Sequence, residues 1–141
     1  MDTLDHKIVS FNTTINVRAL KKIILKNEKL IIKKYKPVSD GNTQLGPNSL
    51  TARSACYNIL DWKEAEELKK DLRKYYDIYT RSSEQPIYIQ CWANVMRKGD
   101  QIKKHFHGGT LYDHVSGHLC IHVDGTTSTF YVLITQTLEH K

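Results

Sequence analysis

The sequence has few cysteines and no long apolar run. Its three cysteines, Cys56, Cys91 and Cys120, include no CxxC pair. The odd count argues against a disulfide framework, and the missing CxxC argues against a structural zinc site built on thiolates. No stretch is apolar enough to span a membrane, and the acidic start, MDTLDHKIVSFN, lacks the apolar centre of a secretory signal. We therefore expect reduced thiols, a cytoplasmic location and no membrane partner.

Acidic residues are almost missing between residues 17 and 36. Glu28 is the only one there, against eight lysines and arginines, and the whole chain of 141 residues has a net charge of +6. A basic stripe can follow a phosphate backbone, but it is more often the solvated face of a helix followed by a strand. No recognised nucleic-acid-binding motif accompanies this stripe, so nucleic acid is not the expected partner.

Two stretches of the N-terminal half have helical periodicity. INVRALKKIILKNEKL, residues 15–30, predicts an amphipathic helix of about three turns. KLIIKKYKPV then predicts a short extended segment that ends at Pro37. LDWKEAEELKKDLRKYYDIY, residues 60–79, gives the clearest helix, with Asp61 and Glu64 in a capping-box pattern. Residues 1–84 are thus the mainly helical support region of a single domain, residues 1–141.

The C-terminal half has the period-two pattern of strands. IYIQCWANVM, VSGHLCIHVDG and TSTFYVLI each alternate or are rich in β-branched and aromatic residues. In the second, Leu119, Ile121 and Val123 fall on the face opposite His118, Cys120 and His122. Helices followed by strands with short connections indicate an α+β fold, with helices packed outside an antiparallel sheet or barrel formed by residues 85–141.

Histidines cluster behind a Gly-Asp turn, in RKGDQIKKHFHGG. His105 and His107 project to the same side of an extended segment, so they can converge on one ion. Imidazole suits iron, zinc, nickel and copper. Three residues are candidates for the third ligand, namely His118, His122 and Asp113. We take His105, His107 and His122 as the predicted metal ligands.

At this point the sequence resembles a known family. WANVMRKGDQIKKHFH followed by VSGHLCIHVDGTTSTFYV is similar to the small 2-oxoglutarate- and Fe(II)-dependent oxygenases of marine phage and bacteria. The resemblance runs from about residue 15 to residue 132. Residues 99–107 also fit the first half of a cupin motif, G-x5-H-x-H, although Leu111 stands where that motif needs a glutamate. The matching residues are Trp92, Asn94, Gly99, Asp100, His105, His107, Ser116, Gly117, Thr129 and Tyr131.

The resemblance implies a fold and a chemistry. The fold is a double-stranded β-helix, a jelly-roll or cupin-like antiparallel barrel. It binds Fe(II) with open positions for 2-oxoglutarate and oxygen, and it hydroxylates a substrate that the sequence does not identify. His105 is then the first ligand, and His107 stands where the wider superfamily usually has a carboxylate. Asn94, Tyr88 and Tyr131 are the candidates for the 2-oxoglutarate pocket.

The sequence departs from the family after residue 132. No arginine follows Arg97, so the cation that pairs with the far carboxylate of 2-oxoglutarate is missing, and Lys103 or Lys104 offers only a weaker substitute. We expect the C-terminal strands of the barrel to be absent.

Three functions stay open: an oxygenase, an inactive or truncated metal-binding barrel that serves as a binding module, and an interaction module. In the last, an open sheet edge such as STFYVLI forms a homodimer. A phage-encoded protein would act in the host cytoplasm.

Overall fold

The computed structural model describes residues 8–81, 86–105 and 115–123. These ranges contain two α-helices, α1 (Val17–Lys34) and α2 (Glu66–Thr80), and three short 3-10 turns at Thr51–Arg53, Ile59–Asp61 and Lys63–Ala65. They contain no strand. The predicted α+β fold with a double-stranded β-helix is therefore wrong for the described part of the chain, which is helical. The single domain of residues 1–141 stays a prediction.

Helix α1 is longer than its sequence pattern predicts. It begins after Asn16, whose side chain accepts a hydrogen bond of 3.1 Å from the Ala19 N–H, a standard N-cap contact. It continues through KLIIKK, which was predicted as extended, because Ile31 lies seven residues after Ile24 and buries the same face. It ends at Lys34, since Pro37 cannot join a helix and disfavours helical backbone in the residue before it.

Helix α2 begins later than predicted. Asp61 ends a 3-10 turn, and Trp62 has extended backbone with φ −83° and ψ 142°, so Asp61 and Glu64 do not cap a continuous helix. The chain turns once more at Lys63–Ala65 before α2 starts. At the other end, Arg81 takes the left-handed conformation with φ 52°, and its N–H bonds the last carbonyls of the helix.

The core lies between the helices, the 3-10 turns and two extended segments. Its buried residues are Leu20, Ile24, Ile31, Leu50, Ile59, Leu60, Ala65 and Leu68. Ile89, Cys91, Ala93 and Val95 pack against it from one extended segment, and Leu119 and Ile121 pack against it from the other. The alternation predicted for residues 87–96 and 119–123 thus occurs over 89–95 and 119–121, without the ladder that defines a strand. Val123, predicted to share the face of Leu119 and Ile121, is 53% exposed.

Side chains replace that ladder along residues 89–93. The Asn58 Nδ2 donates to the Ile89 carbonyl at 2.7 Å, and the Asn58 Oδ1 accepts from the Cys91 N–H at 3.2 Å. The Ile59 N–H reaches the Cys91 carbonyl at 2.9 Å. Because buried backbone groups need partners, these contacts let the extended segment pack on a helical domain without a neighbouring strand.

A buried arginine joins the end of α1 to the loop that follows it. Arg53 is 3% exposed, and its Nε donates to the Tyr35 carbonyl at 2.9 Å. Its Nη1 donates to the Ser49 carbonyl at 2.9 Å and also to the Pro47 carbonyl. These backbone acceptors offset the loss of water around the guanidinium and fix the path of the loop.

Candidate functional site

The described residues do not assemble the predicted iron site. His105 is half-buried, and its Nδ1 lies 2.8 Å from the Lys103 carbonyl oxygen. His122 and the alternative ligand His118 are exposed. Within residues 8–81, 86–105 and 115–123, no three His, Cys, Asp or Glu side chains are placed to share a metal ion. The other predicted residues, His107, Asp113 and Tyr131, lie outside the described residues, so the site of His105, His107 and His122 stays a prediction.

Two predicted 2-oxoglutarate contacts lie on the outer face of residues 86–96. Asn94 is exposed, and its Oδ1 accepts a hydrogen bond of 2.7 Å from the Thr51 hydroxyl. Tyr88 is 82% exposed and donates to the Gln90 Oε1 at 2.7 Å. Residues of the opposite face, such as Cys91, pack against the core. The role of Asn94 and Tyr88 in 2-oxoglutarate binding stays a prediction.

One face of α1 is exposed and carries only positive charge. Five basic residues on it are spaced by four, four, three and four positions, which places them in one row along the helix. All five are exposed, whereas Leu20, Ile24 and Ile31 bury the opposite face. At 1.5 Å of rise per residue the row is about 22 Å long. We call it the cationic face, and its members are Arg18, Lys22, Lys26, Lys29 and Lys33.

The only acidic residue of α1 does not neutralise this face. Glu28 is 8% exposed and lies on the buried side of the helix. Its two carboxylate oxygens accept hydrogen bonds of 2.9 and 2.7 Å from the two Nη atoms of Arg97, a planar bidentate pair. Glu28 raises the pKa of Arg97, first by hydrogen bonding and then by Coulomb attraction. The negative charge is thus matched on the core side, and the row keeps its full positive charge.

The cationic face costs the helix stability. Neighbours in the row stand three or four residues apart, and like charges at this spacing repel by about 0.2–0.5 kcal/mol a pair. None of the five forms a salt bridge with another described residue. Packing of the apolar side holds α1 in place against this repulsion. A bound anion would relieve the repulsion.

A groove with aromatic walls lies beside the C-terminal half of α1. It has a volume of about 200 Å³. The Tyr57 and Trp62 rings are nearly parallel, with an interplanar angle of 15° and centroids 6.1 Å apart. The Lys34 Nζ lies 5.1 Å from the Tyr35 ring centroid. We call this the aromatic groove, and its lining residues are Asn27, Leu30, Ile31, Lys34, Tyr35, Tyr57 and Trp62.

Tyr57 is held rigidly at the base of this groove. Its hydroxyl oxygen accepts a hydrogen bond of 3.0 Å from the Ala93 N–H, and its carbonyl accepts one of 2.6 Å from the Gln90 amide. Burial raises the pKa of Tyr57 to about 12, and the Ala93 contact lowers it only in part. The phenol is therefore neutral at physiological pH, and its ring is a fixed apolar wall.

A second depression, of about 340 Å³, lies in the loop after α1. Its acidic residue, Asp40, already accepts backbone hydrogen bonds of 3.1 Å from the Asn42 and Gly46 N–H groups. These bonds use the carboxylate to shape the loop, in which Gly41 and Gly46 have positive φ. The carboxylate of this depression is therefore engaged in the loop itself.

The fold and these surfaces define a helical domain with a cationic face and an adjoining aromatic groove. Comparison with protein-family models, with curated proteins and with solved structures finds no significant match. Neither helix of the described ranges is both long and apolar enough to cross a bilayer. The basic stripe was visible in the sequence, and four of the five cations fall in the predicted helix of residues 15–30. The structure adds Lys33 to the row, because α1 continues to Lys34. The groove had no sequence signal, because its residues are up to 35 positions apart.

Proposed function

We propose that this protein binds a nucleic acid strand through the cationic face of α1. One observation carries the proposal: five exposed basic residues form a row along α1, and the only acid of this helix, Glu28, is buried and paired with Arg97. Phosphates follow one another by about 3.4 Å along each strand of a duplex, so the row of about 22 Å spans roughly six of them. Lysine and arginine rows of this kind bind phosphates mainly by releasing condensed counterions.

The geometry favours nucleic acid over an anionic membrane. A helix that binds a bilayer inserts an apolar face between the lipid headgroups. In α1 that face is taken up by the domain core, where Leu20 is 1% exposed and Ile24 is 4% exposed. Only charge is left on the outer side, apart from Leu25 and Leu30 at its borders. The sequence alone did not favour nucleic acid, because no recognised nucleic-acid-binding motif accompanies the basic stripe. The basis for the proposal is the row of five exposed cations on one helix.

The test is the salt dependence of binding to labelled 20-nucleotide oligothymidylate, followed by fluorescence anisotropy. The triple variant Lys22→Gln, Lys26→Gln, Lys29→Gln removes the middle of the row. Each lost phosphate contact reduces the slope of log K against log salt by about 0.7 for a single strand, so we expect the slope to fall by about 2. The helix itself is retained, because all three side chains are exposed.

The matched control removes the same charge from α2, by Lys69→Gln, Lys70→Gln and Lys74→Gln, which are also exposed. The control is expected to keep most of the affinity and slope. Equal losses in the two triple variants would mean that the net charge of +6 attracts the strand without a defined site. Equal binding to phosphatidylserine vesicles at the same salt would contradict the choice of nucleic acid.

Oxygenase activity is a second candidate, and its support is the HxH pair of His105 and His107. Fe(II) and 2-oxoglutarate stay predicted as metal and cosubstrate. The test is the iron content of protein purified anaerobically with Fe(II), compared with the variant His105→Ala. Equal iron retention by the two proteins would remove this candidate. Where iron retention differs, succinate release from 2-oxoglutarate separates an active enzyme from a metal-binding module.

Two further predictions concern the partner of this protein and its location in the cell. A homodimer through a sheet edge stays a prediction, and the segment expected to form it, residues 128–134, lies outside the described residues. Light scattering across a concentration series tests this dimer. A cytoplasmic location also stays a prediction, supported by the free thiols of Cys56, Cys91 and Cys120.

A further inference from the structure

The aromatic groove opens beside the cationic face. Lys26 and Lys33 belong to the row, and Leu30 lies between them on the helix and forms part of the groove wall. Lys34 lies one position beyond Lys33 and extends the positive charge to the groove itself. A strand bound along the row therefore passes the mouth of the groove.

We infer that the aromatic groove receives an unpaired base of that strand, so that the ligand is single-stranded. This inference rests on the proposed function, because the row supplies the phosphate contacts that bring the base to the groove. Bases of a duplex are stacked and paired inside it and cannot enter a side groove. Proteins that bind single strands combine a positive track with aromatic side chains on which bases stack.

The chemistry of the lining fits a base. Tyr57 and Trp62 line the groove as a stacked pair of nearly parallel rings, and Leu30 is 60% exposed at the mouth. The Asn27 side chain has no hydrogen-bond partner within the described ranges, so its amide can donate to and accept from a base edge. The Lys34 ammonium, 5.1 Å from the Tyr35 ring centroid, places a positive charge in the groove lining, where it can attract a phosphate.

The size and rigidity of the groove also fit. A volume of about 200 Å³ is below the range of drug-sized ligand sites, about 300–1,000 Å³, and suits one ring system. The Tyr57 ring is fixed by its hydrogen bond from Ala93. Trp62 is positioned by its backbone N–H, which bonds the Ile59 carbonyl at 3.0 Å. A wall that is ordered before binding loses little conformational entropy when a base stacks on it.

The experiment compares oligothymidylate with an abasic oligomer of the same length, which has the same phosphates and no bases. We expect the unaltered protein to bind oligothymidylate roughly tenfold more tightly, within the range that one stacked base contributes. Trp62→Ala should remove this preference and leave the affinity for the abasic oligomer unchanged. Tyr88→Ala, which removes an exposed tyrosine elsewhere, is the control and should keep the preference.

Tryptophan fluorescence gives a second readout, which does not depend on Trp62→Ala folding. Oligothymidylate should quench the emission of the unaltered protein, and the abasic oligomer should not. In Trp62→Phe, which keeps a ring in the wall, the quenching should disappear although Trp92 is present. Equal affinity for both oligomers would overturn the inference and leave the proposed function standing. Failure to bind either oligomer would overturn the proposed function itself.

Discussion

The ion pair of Glu28 and Arg97 supports the most direct test of how this fold is held together. The pair is asymmetric: the Glu28 side chain is 11% exposed, whereas the Arg97 side chain is 63% exposed. Replacing Arg97 by Met removes two charge-assisted hydrogen bonds and leaves a carboxylate in the core side of α1. Replacing Glu28 by Gln leaves a guanidinium that water can solvate.

The asymmetry sets the expected magnitudes. Removing one partner of a fully buried pair costs about 3–5 kcal/mol. Because water reaches the Arg97 side, we discount this to about 2 kcal/mol for Arg97→Met. For a domain of this size that corresponds to a fall in Tm of roughly 8 °C. Glu28→Gln should cost about 1 kcal/mol or less.

The assay is thermal and urea unfolding of the two single variants, the double variant and Lys98→Met. Lys98 is the exposed neighbour of Arg97, and its substitution should stay within about 0.5 kcal/mol. The double variant should be more stable than Arg97→Met alone, because the unpaired charge is gone. The reasoning is refuted if Arg97→Met costs no more than Lys98→Met, or if the double variant equals the sum of the singles.

Three further predictions concern the extended segments. Asn58→Ala should lower the free energy of unfolding by about 2–3 kcal/mol, because the side chain takes part in three hydrogen bonds, and a change below about 0.5 kcal/mol in urea unfolding would contradict this. Since folding raises the pKa of Tyr57 from 10.0 to about 12, the folded protein keeps a proton that the unfolded chain releases, so stability falls as pH rises through this window. Tyr57→Phe, less stable below pH 10, should therefore approach the unaltered protein in urea unfolding towards pH 12, and a constant difference would contradict the pKa argument. Burial also raises the pKa of Cys91 to about 11, whereas Cys120 is exposed. Iodoacetamide should therefore alkylate Cys120 before Cys91, as followed by mass spectrometry. Equal rates of alkylation would show that the Cys91 thiol is accessible.

The apolar periodicity of the sequence predicts both helices. The residue types near the helix ends, however, predict the wrong boundaries. The apolar spacing of Leu20 and Ile24 is enough to predict α1, but the run of β-branched and basic residues after Lys29 looks extended when judged alone. Burial of Ile31 in the core overrides that local preference. The start of α2 shows the reverse error, because a valid capping pattern at Asp61 was superseded by 3-10 turns that place Ala65 in the core.

The C-terminal half shows why alternation alone does not prove a sheet. Residues 89–95 pack one side against the core, and any extended chain with alternating apolar residues packs in the same way. A sheet additionally needs a partner strand at ladder distance, which is a property of distant residues. In this part of the protein Asn58 and Tyr57 supply the partners that a strand would have supplied. A side-chain substitute of this kind leaves no periodic signal.

Of the candidate site, the sequence predicts only the excess of positive charge. The composition of residues 17–36 shows the excess of cations, and the buried pairing of Glu28 could not be seen without Arg97, which lies 69 positions away. The aromatic groove depends on Tyr57 and Trp62 meeting the flank of α1. Such an encounter depends on the packing angle of the elements, and residue spacing does not encode it.

The distance in sequence between Glu28 and Arg97 has a consequence for the order in which the molecule is made. When α1 leaves the ribosome, Arg97, which pairs with Glu28 on the core side of this helix, has not yet been synthesised. Ile89 and Cys91, whose backbone groups bond the Asn58 side chain, are also still missing. Contacts closed over such long loops form late in folding. A nascent chain released after residue 81 should therefore be digested by protease faster than the full-length chain.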